Sequence, residues 1–311
     1  MMRKFVRITL IIVIVLLILS VSVFIGLKIL WKNITTAKMS PDDYTTEVKT
    51  GGDIEAIYLA KGKYETKSVT IDDHDDTDIK AITIYYPAEL EYSNDLYPVV
   101  LFVNGTGVGA SRYLSVFEHM ASWGFIAIGN EDPSSWEGKK ADATLTYLLQ
   151  ANEDKDSVFY GKVNLEDIGV IGHSQGGVGV YNTINNTEHK DLYKCAVTLS
   201  PTQEEVAVQV LKIPYDPSKT TTPILMLSGT NNDVITPDNM MKSYEKVTAP
   251  KVMAVRKNAA HGDMLYVADG YATAWLMWQL QDDIEAAGAF IGENPELVNN
   301  ELYQNQKIEM N

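Results

Sequence analysis

The stretch 167–177 constrains the fold of this chain more than any other part of its sequence. It reads Asp-Ile-Gly-Val-Ile-Gly-His-Ser-Gln-Gly-Gly, so that the apolar segment Ile168–Ile171 runs directly into Gly172-x-Ser174-x-Gly176. The apolar segment predicts a buried strand, and the apolar spacing of the residues that follow predicts a helix. The stretch therefore predicts a sharp strand-to-helix turn with a serine at its tip. Glycines flank this serine because larger side chains would collide in so tight a turn.

Apolar segments and helical patterns alternate along most of the chain. The segments 67–71 and 81–86 predict an antiparallel lead-in. Later strands are predicted at 99–103, 125–128, 168–171, 196–199, 224–227 and 252–255. Helices are predicted at 113–122, 141–151, 177–185, 237–246 and 273–287. Such alternation predicts an α/β fold in which helices cover both faces of a mostly parallel sheet.

An acid and a histidine follow two of these strands in the order that a catalytic triad requires. Asp233 lies in the loop after the strand at 224–227, and His261 lies in the loop after the strand at 252–255. The carboxyl ends of parallel strands meet at one edge of a sheet, so both loops are expected near Ser174. In this interpretation Ser174 is the nucleophile and His261 the general base, and Asp233 orients the imidazole. Asp238 and Asp263 are alternative acids.

Two backbone amides are candidates for the oxyanion hole of such a site. The first belongs to Gln175, which directly follows the serine. The second belongs to Thr106, in the glycine-rich loop Asn104-Gly-Thr-Gly-Val-Gly109 that follows the strand at 99–103. A phosphate-binding interpretation of this loop fails, because no Gly-Lys-Ser/Thr follows and the dinucleotide-binding spacing is absent.

With these motifs the chain resembles an α/β-hydrolase of the cutinase-like and polyester-hydrolase-like group, which is related to the dienelactone hydrolases. The resemblance runs from about residue 52 to 300 and includes the loop at Asn104, the turn at Ser174 and the loops of Asp233 and His261. It implies an α/β-hydrolase fold and a serine esterase with the triad Ser174, Asp233 and His261. It also implies oxyanion amides at Thr106 and Gln175, and neither a cofactor nor a metal.

Three features depart from the pattern of that group. Its polyester-cleaving members carry a tryptophan after the strand that here spans 196–199, whereas this chain continues Ser-Pro-Thr-Gln. Trp136 is a candidate to line the acyl pocket instead, with surface packing as the alternative. Cys195 is the only cysteine, so the carboxyl-terminal disulfide of secreted members is excluded. The long loop 203–222 is a candidate lid or pocket wall.

The amino-terminal part predicts a membrane anchor. Residues 8–30 form an apolar run long enough to span a bilayer, and no small-residue cleavage site follows it directly. Residues 1–7 form a basic cytoplasmic tail, 31–51 a linker and 52–311 the catalytic domain. The basic tail favours a single-pass protein whose catalytic domain is extracytoplasmic. Secretion after cleavage of the apolar segment is the alternative.

The charge of the chain limits its partners. Residues 1–32 carry five basic and no acidic side chains, so the 26 basic and 41 acidic residues of the whole chain leave about −20 beyond them. Nucleic acid is therefore excluded as a partner, and neutral short to medium esters are favoured over anionic ones. A small-molecule or polymeric ester is the expected substrate. Two alternatives stay open: an acyltransferase that uses the same triad, and an inactive, membrane-tethered binding module.

Overall fold

The computed structural model describes residues 28, 37–72, 74, 79–231 and 234–310. From Met39 onwards these residues form one compact unit. The predicted anchor at 8–30 lies, apart from Lys28, outside the described residues. Among the helices that are described, none combines the length and the apolar character needed to cross a membrane.

Nine strands of the described chain form one mixed sheet. They are β1 (Thr66–Ile71), β2 (Ile82–Pro87), β3 (Tyr97–Val103), β4 (Ile126–Asn130), β5 (Val163–His173), β6 (Tyr193–Leu199), β7 (Ile224–Asn231), β8 (Lys251–Ala260) and β9 (Tyr303–Glu309). Their spatial order is β1-β2-β4-β3-β5-β6-β7-β8-β9. The six strands from β4 to β8 in this order are parallel, whereas β1, β2 and β9 pair antiparallel at the two edges.

Helices cover both faces of this sheet, as the alternating pattern predicts. They are α1 (Tyr44–Glu47), α2 (Asp53–Leu59), α3 (Leu114–Ser122), α4 (Lys139–Glu153), α5 (Gln175–Asn186), α6 (Glu204–Val206), α7 (Pro237–Lys246), α8 (Met264–Val267), α9 (Asp269–Gln281), α10 (Ile284–Ala287) and α11 (Glu296–Asn299). A π-helical turn, Ala207–Leu211, continues α6. Short 3₁₀ turns lie at Ala88–Glu91, Ala110–Arg112, Lys190–Leu192 and Pro217–Lys219.

Strands β3 and β4 are buried along their whole length because the sheet has helices on both faces. All seven residues of β3 are buried. Val100 and Phe102 pack into the core on one face, and Leu101 and Val103 pack into the core on the other. This alternation is the two-residue period of a strand. An apolar run without polar alternation is typical of such a doubly covered strand.

The structure differs from the sequence-based elements at two places near the carboxyl terminus. The helix predicted at 273–287 is two helices, because α9 ends where Asp282 adopts a positive φ of 52°. The Asp283 side chain then accepts hydrogen bonds from the amides of Glu285 and Ala286 and starts α10. Strand β9 has no counterpart in the prediction, because it is an edge strand with only Tyr303 fully buried.

The amino-terminal end of the compact unit packs against the body. Residues 39–51 belong to the segment for which the sequence predicts a linker. Ser40 and Tyr44 in this segment are nevertheless buried, with 2% and 1% of their surface exposed. Helix α2, which the sequence analysis does not predict, follows directly. Its first-turn amides at Ile54 and Glu55 donate hydrogen bonds to the Glu296 carboxylate, 2.7 and 2.9 Å away. Glu296 therefore caps α2 from the opposite end of the chain.

Candidate active site

Ser174 occupies a strained turn between β5 and α5. Its φ of 61° and ψ of −123° lie in a region that non-glycine residues rarely adopt. Three backbone hydrogen bonds fix this conformation. The Ser174 amide donates to Leu199 O at 2.9 Å, and Ser174 O accepts from the amides of Gly177 at 3.0 Å and Thr202 at 3.2 Å. Strain of this kind persists where the surrounding structure holds the residue, as at functional sites.

The two glycines of the motif are required by close backbone contacts. A Cβ atom on Gly172 would lie 2.3 Å from Gly176 O, and one on Gly176 would lie 2.0 Å from Val103 O. Helix α5 therefore packs against the ends of β3 and β5 more closely than any larger residue would allow. Close packing of this kind explains why a turn of this type carries glycines on both sides of its serine.

His261 faces Ser174 from the loop that follows β8. Its Nε2 lies 3.0 Å from Ser174 Oγ. The structure thus brings together two predicted site residues that are 87 positions apart in the sequence. At this distance the imidazole can accept the hydroxyl proton, which is the geometric requirement for a general base.

His173 supports the loop of His261, a role that the sequence analysis does not predict. His173 Nε2 lies 2.7 Å from the backbone oxygen of His261, and the two imidazole rings are 4.6 Å apart with 33° between their planes. Because a carbonyl oxygen only accepts, His173 Nε2 is the donor and carries a proton. The partner of His173 is a main-chain atom in a distant loop, so no local sequence signal could have indicated this role.

The loop that carries Thr106 is held against the serine turn. A Cβ atom on Gly105 would lie 3.0 Å from His173 O and 3.4 Å from Ser174 Cβ. Gly107 has a φ of 70° and donates its amide to Pro133 O at 2.8 Å. Thr106, between these two glycines, is exposed.

Asn104 fixes the start of this loop. Its side chain is buried, and Nδ2 donates to the backbone oxygens of Asn130 at 2.7 Å and Asp132 at 2.9 Å. The Tyr113 hydroxyl donates to Asn104 Oδ1. The amide of Gln175, the other oxyanion candidate, is the first of α5, where backbone N–H groups have no acceptor within the helix. Both candidate amides thus border the serine turn.

The acid of the predicted triad is not part of the described structure. Asp233 lies outside the described residues, so its role stays a prediction. Of the alternatives, Asp238 is exposed near the start of α7. Asp263 accepts a hydrogen bond from the Tyr266 hydroxyl through Oδ1, at 3.0 Å. Trp136 is partly buried, and its backbone oxygen accepts from Asn182 Nδ2 at 2.9 Å, which fixes its loop on α5.

The loop 203–222 forms one wall of a groove beside α7. Helix α6, its π-helical continuation and α7 enclose about 540 Å³. Across the groove, Asn239 Nδ2 donates to Gln203 Oε1, and Lys246 lies within ion-pair distance of Glu204 at 2.5 Å. Polar side-chain contacts therefore bridge the groove. Whether this loop acts as a lid stays a prediction.

A mostly parallel sheet, a serine at a strained turn after a central strand and a histidine facing it from a later strand form the arrangement of the α/β-hydrolases. A family model described as "PET hydrolase-like" matches residues 46–306, and the chain belongs to this family of α/β-hydrolases. The resemblance deduced from the sequence motifs is thereby confirmed.

Three curated proteins match shorter parts of the chain. Chlorophyllase-1, chloroplastic, of Citrus unshiu is 27% identical over 128 residues, which is 38% of each protein. Cutinase est2 of Thermobifida alba is 28% identical over 124 residues, again 38% of each. Carboxylesterase 1C of Mus musculus is 29% identical over 136 residues, which is 38% of this chain and 23% of the relative. The matched part of the chain thus spans well under half the length of these curated relatives.

Proposed function

We propose that this protein is a serine carboxylic-ester hydrolase that works through an acyl-enzyme intermediate. The observation that carries the proposal is the 3.0 Å contact between His261 Nε2 and Ser174 Oγ at the strained turn. Membership of the PET hydrolase-like family supports it, as do the matches to a cutinase, a carboxylesterase and a chlorophyllase.

The proposed mechanism assigns one step to each group. Ser174 Oγ attacks the ester carbonyl carbon while His261 Nε2 takes the hydroxyl proton. The tetrahedral intermediate collapses, the bond to the alcohol oxygen breaks, and His261 gives its proton to the leaving alcohol. Water then attacks the acyl-enzyme by the same route and releases the acid. Asp233 is proposed to orient the imidazole and stabilise its protonated form.

The amides of Thr106 and Gln175 are proposed to bind the oxyanion. Each such donor is worth about 3 kcal/mol in related acyl-transfer chemistry, because it stabilises a charge that exists only during the reaction. The close approach of Gly105 to the serine turn supports this role, since it keeps the Thr106 loop beside Ser174.

Reaction with a fluorophosphonate probe tests the proposed nucleophile. The wild-type protein should be labelled and should hydrolyse a p-nitrophenyl ester, whereas Ser174→Ala should do neither. Ser134→Ala is the matched control, because Ser134 lies in the loop next to Pro133 and outside the proposed mechanism. An unlabelled wild-type protein would instead support the inactive binding module. Transfer of the acyl group to added alcohol or amine in preference to water would support the acyltransferase.

The proposed substrates are neutral esters of short to medium acyl length. The strongly acidic body supports the neutral character of these substrates, because it repels anionic ones. Turnover of p-nitrophenyl esters from acetyl to palmitoyl, together with a matched carboxylate-bearing ester, measures the preference directly. A maximum at palmitoyl, or faster turnover of the anionic ester, would contradict the proposed class.

We also propose that residues 8–30 anchor the protein in the membrane as a single-pass segment with the catalytic domain outside the cytoplasm. The length of the apolar run and the basic residues before it support this topology. The full-length protein should sediment with membranes, and protease added to intact cells should reach the catalytic domain. Recovery of the mature protein in the medium, starting after about residue 35, would favour the secreted alternative.

A further inference from the structure

Residues 39–49, named here the N-terminal strap, contact the chain segments that adjoin both of the loops that flank Ser174. Most of the strap precedes residue 46, where the match to the family begins. The family match therefore does not account for the contacts of residues 39–45.

The first contacts of the strap are with the segment that follows the Thr106 loop. The Met39 amide donates to Arg112 O at 2.7 Å, and the side-chain oxygens of Ser40 and Ser115 are 2.5 Å apart. Arg112 ends the 3₁₀ turn Ala110–Arg112, and Ser115 lies in the first turn of α3. The glycine-rich loop Asn104–Gly109 is named here the oxyanion loop. The strap thus begins on the chain segment that follows the oxyanion loop.

This segment is connected to the oxyanion loop by a buried hydrogen bond. Tyr113, next to Arg112, donates its hydroxyl to Asn104 Oδ1. Met39 also borders a small cavity of about 20 Å³, together with Gly105 and His173. Displacement of the strap would therefore act on the residues that hold Thr106 beside Ser174.

The next contacts of the strap are with the segment after His261. Tyr44 is 1% exposed, and its hydroxyl donates to Asp269 Oδ2 at 2.5 Å. Its ring is 5.9 Å from that of Tyr266, and the Tyr266 hydroxyl donates to Asp263 Oδ1 at 3.0 Å. Asp263 is two residues from His261.

The last contact of the strap is with β8 itself. Arg256 Nη2 donates to the backbone oxygen of Lys49, and Arg256 Nη1 lies 3.1 Å from Glu55 Oε1 in α2. Arg256 is 6% exposed and precedes His261 by five residues. The strap therefore contacts the chain on both sides of the histidine loop, residues 261–263: Arg256 in β8 before it, and Tyr266 and Asp269 in the helices after it.

The sheet does not connect these two loops directly. The oxyanion loop follows β3 and the histidine loop follows β8, and β5, β6 and β7 lie between them. Catalysis requires the imidazole and the oxyanion amides to be placed around one carbonyl group, and a misplacement of about 1 Å can cost about 100-fold in rate. A segment that contacts the chain beside both loops limits such a displacement of the imidazole relative to the oxyanion amides.

We propose that the N-terminal strap is a positioning element of the active site, with Ser40 and Tyr44 as its positioning residues. The strap holds the oxyanion loop and the histidine loop at the separation that ester hydrolysis needs. This inference rests on the proposed hydrolase function. It assigns to residues 39–49 an effect on turnover beyond their contribution to stability.

A matched pair of hydroxyl deletions tests this role. Tyr44→Phe removes the buried hydrogen bond to Asp269, and Tyr58→Phe removes a partly buried one from the Tyr58 hydroxyl to Asp283 Oδ2, which spans 2.8 Å. Both tyrosines are 1% exposed, but Tyr58 lies in α2, outside the strap. Tyr44→Phe should lower kcat by about tenfold with little change in KM, because the loops separate while the pocket remains. Tyr58→Phe should keep the wild-type kcat, even if Tm decreases by the same amount in both variants.

Equal losses of kcat in the two variants, or no loss in either, would overturn the proposal. If Tyr44→Phe does not fold, Ser40→Ala should give the same selective loss of kcat. Ser93→Ala, at the opposite end of β3, serves as its control. Hydrogen exchange gives a readout that does not depend on activity: Tyr44→Phe should speed exchange in 104–113 and 256–267, and Tyr58→Phe should not. A wild-type protein that is inactive and unlabelled would refute the hydrolase function, and exchange would still decide whether the strap holds the loops.

Discussion

Two histidines of this chain lie in opposite surroundings. His261 is partly exposed, and its Nε2 faces the Ser174 hydroxyl at 3.0 Å. His119 is 1% exposed, with Nδ1 2.6 Å from Asp269 Oδ2 and Nε2 2.9 Å from the backbone oxygen of Ala60. A hydroxyl both donates and accepts, whereas a carboxylate and a carbonyl only accept.

This difference separates a histidine suited to proton transfer from one that holds its proton. Burial lowers the pKa of His119, but the charge and hydrogen bond of Asp269 and the backbone oxygens of Ala60 and Leu59 raise it more. The net shift of the His119 pKa is upward, so the surroundings of His119 favour its protonated form beside the Asp269 carboxylate. The chemistry of an imidazole in this protein thus depends on whether its partner can also give up a proton.

The largest expected effect is at the histidine that faces the hydroxyl. Ser174→Ala and His261→Ala should each reduce ester turnover by several orders of magnitude, and the double variant should lose no more than either alone, because the two groups act as a unit. Steady-state kinetics on one p-nitrophenyl ester measures all three variants. Additive losses in the double variant, or an active Ser174→Ala, would contradict the assigned roles.

A somewhat smaller loss is expected at the proposed acid. Asp233→Asn should retain the serine and the imidazole but favour the wrong tautomer, so turnover should fall by less than in Ser174→Ala. Asp238→Asn and Asp263→Asn are matched controls that should stay active. Full activity in Asp233→Asn combined with a large loss in either control would move the acid role to that residue.

For His119 the expected loss is in stability. His119→Gln leaves the buried Asp269 carboxylate without its cation and should lower the free energy of unfolding by about 3 kcal/mol. His189→Gln is the control, because His189 Nδ1 lies 3.2 Å from Asp142 Oδ1 but the side chain is 21% exposed. That variant should lose less than about 1 kcal/mol. Urea unfolding compares the two, and turnover per folded molecule should fall far less in His119→Gln than in His261→Ala.

The smallest expected effect is the pH dependence of that stability. The folded-state pKa of His119 is raised above its ordinary value of about 6.5, so its stabilising contribution is complete below that pH. This contribution to stability is lost as the pH rises through the folded-state pKa of His119. The difference in unfolding free energy between wild type and His119→Gln should therefore shrink from pH 6 towards pH 9. A difference that grows with pH would show that His119 is neutral in the folded protein.

Several features of the fold and site are predictable from sequence because they depend on neighbouring residues. The turn at Ser174 needs only an apolar strand, two glycines and a helix, and all three lie within a dozen positions. The fully buried strand β3 has a continuous apolar run, and a parallel sheet covered on both faces produces that pattern. His261 and Ser174 are each predictable as loop residues after strands, and their contact follows from the common edge of the sheet.

Other elements have no local signal. Helix α2 is short, and its first-turn amides are capped by Glu296, which is more than 240 positions away. After the buried Tyr303, strand β9 alternates between partly buried and exposed residues at the sheet edge, so its sequence lacks a long apolar run. The end of α9 at Asp282 depends on a single positive φ within a continuous helical pattern.

The sequence by itself determined the order of strands β1 to β8 and of the longer helices, the turn at Ser174 and the loops that carry the candidate site, because hydrophobic period and glycine spacing act over a few residues. Only the tertiary structure decided which polar groups meet. His173 contacts the backbone of His261, and Tyr44 and His119 meet at Asp269. A polar residue in the sequence gives no sign of whether it will be buried or what will accept its proton. Those properties arise when distant segments pack together and exclude water.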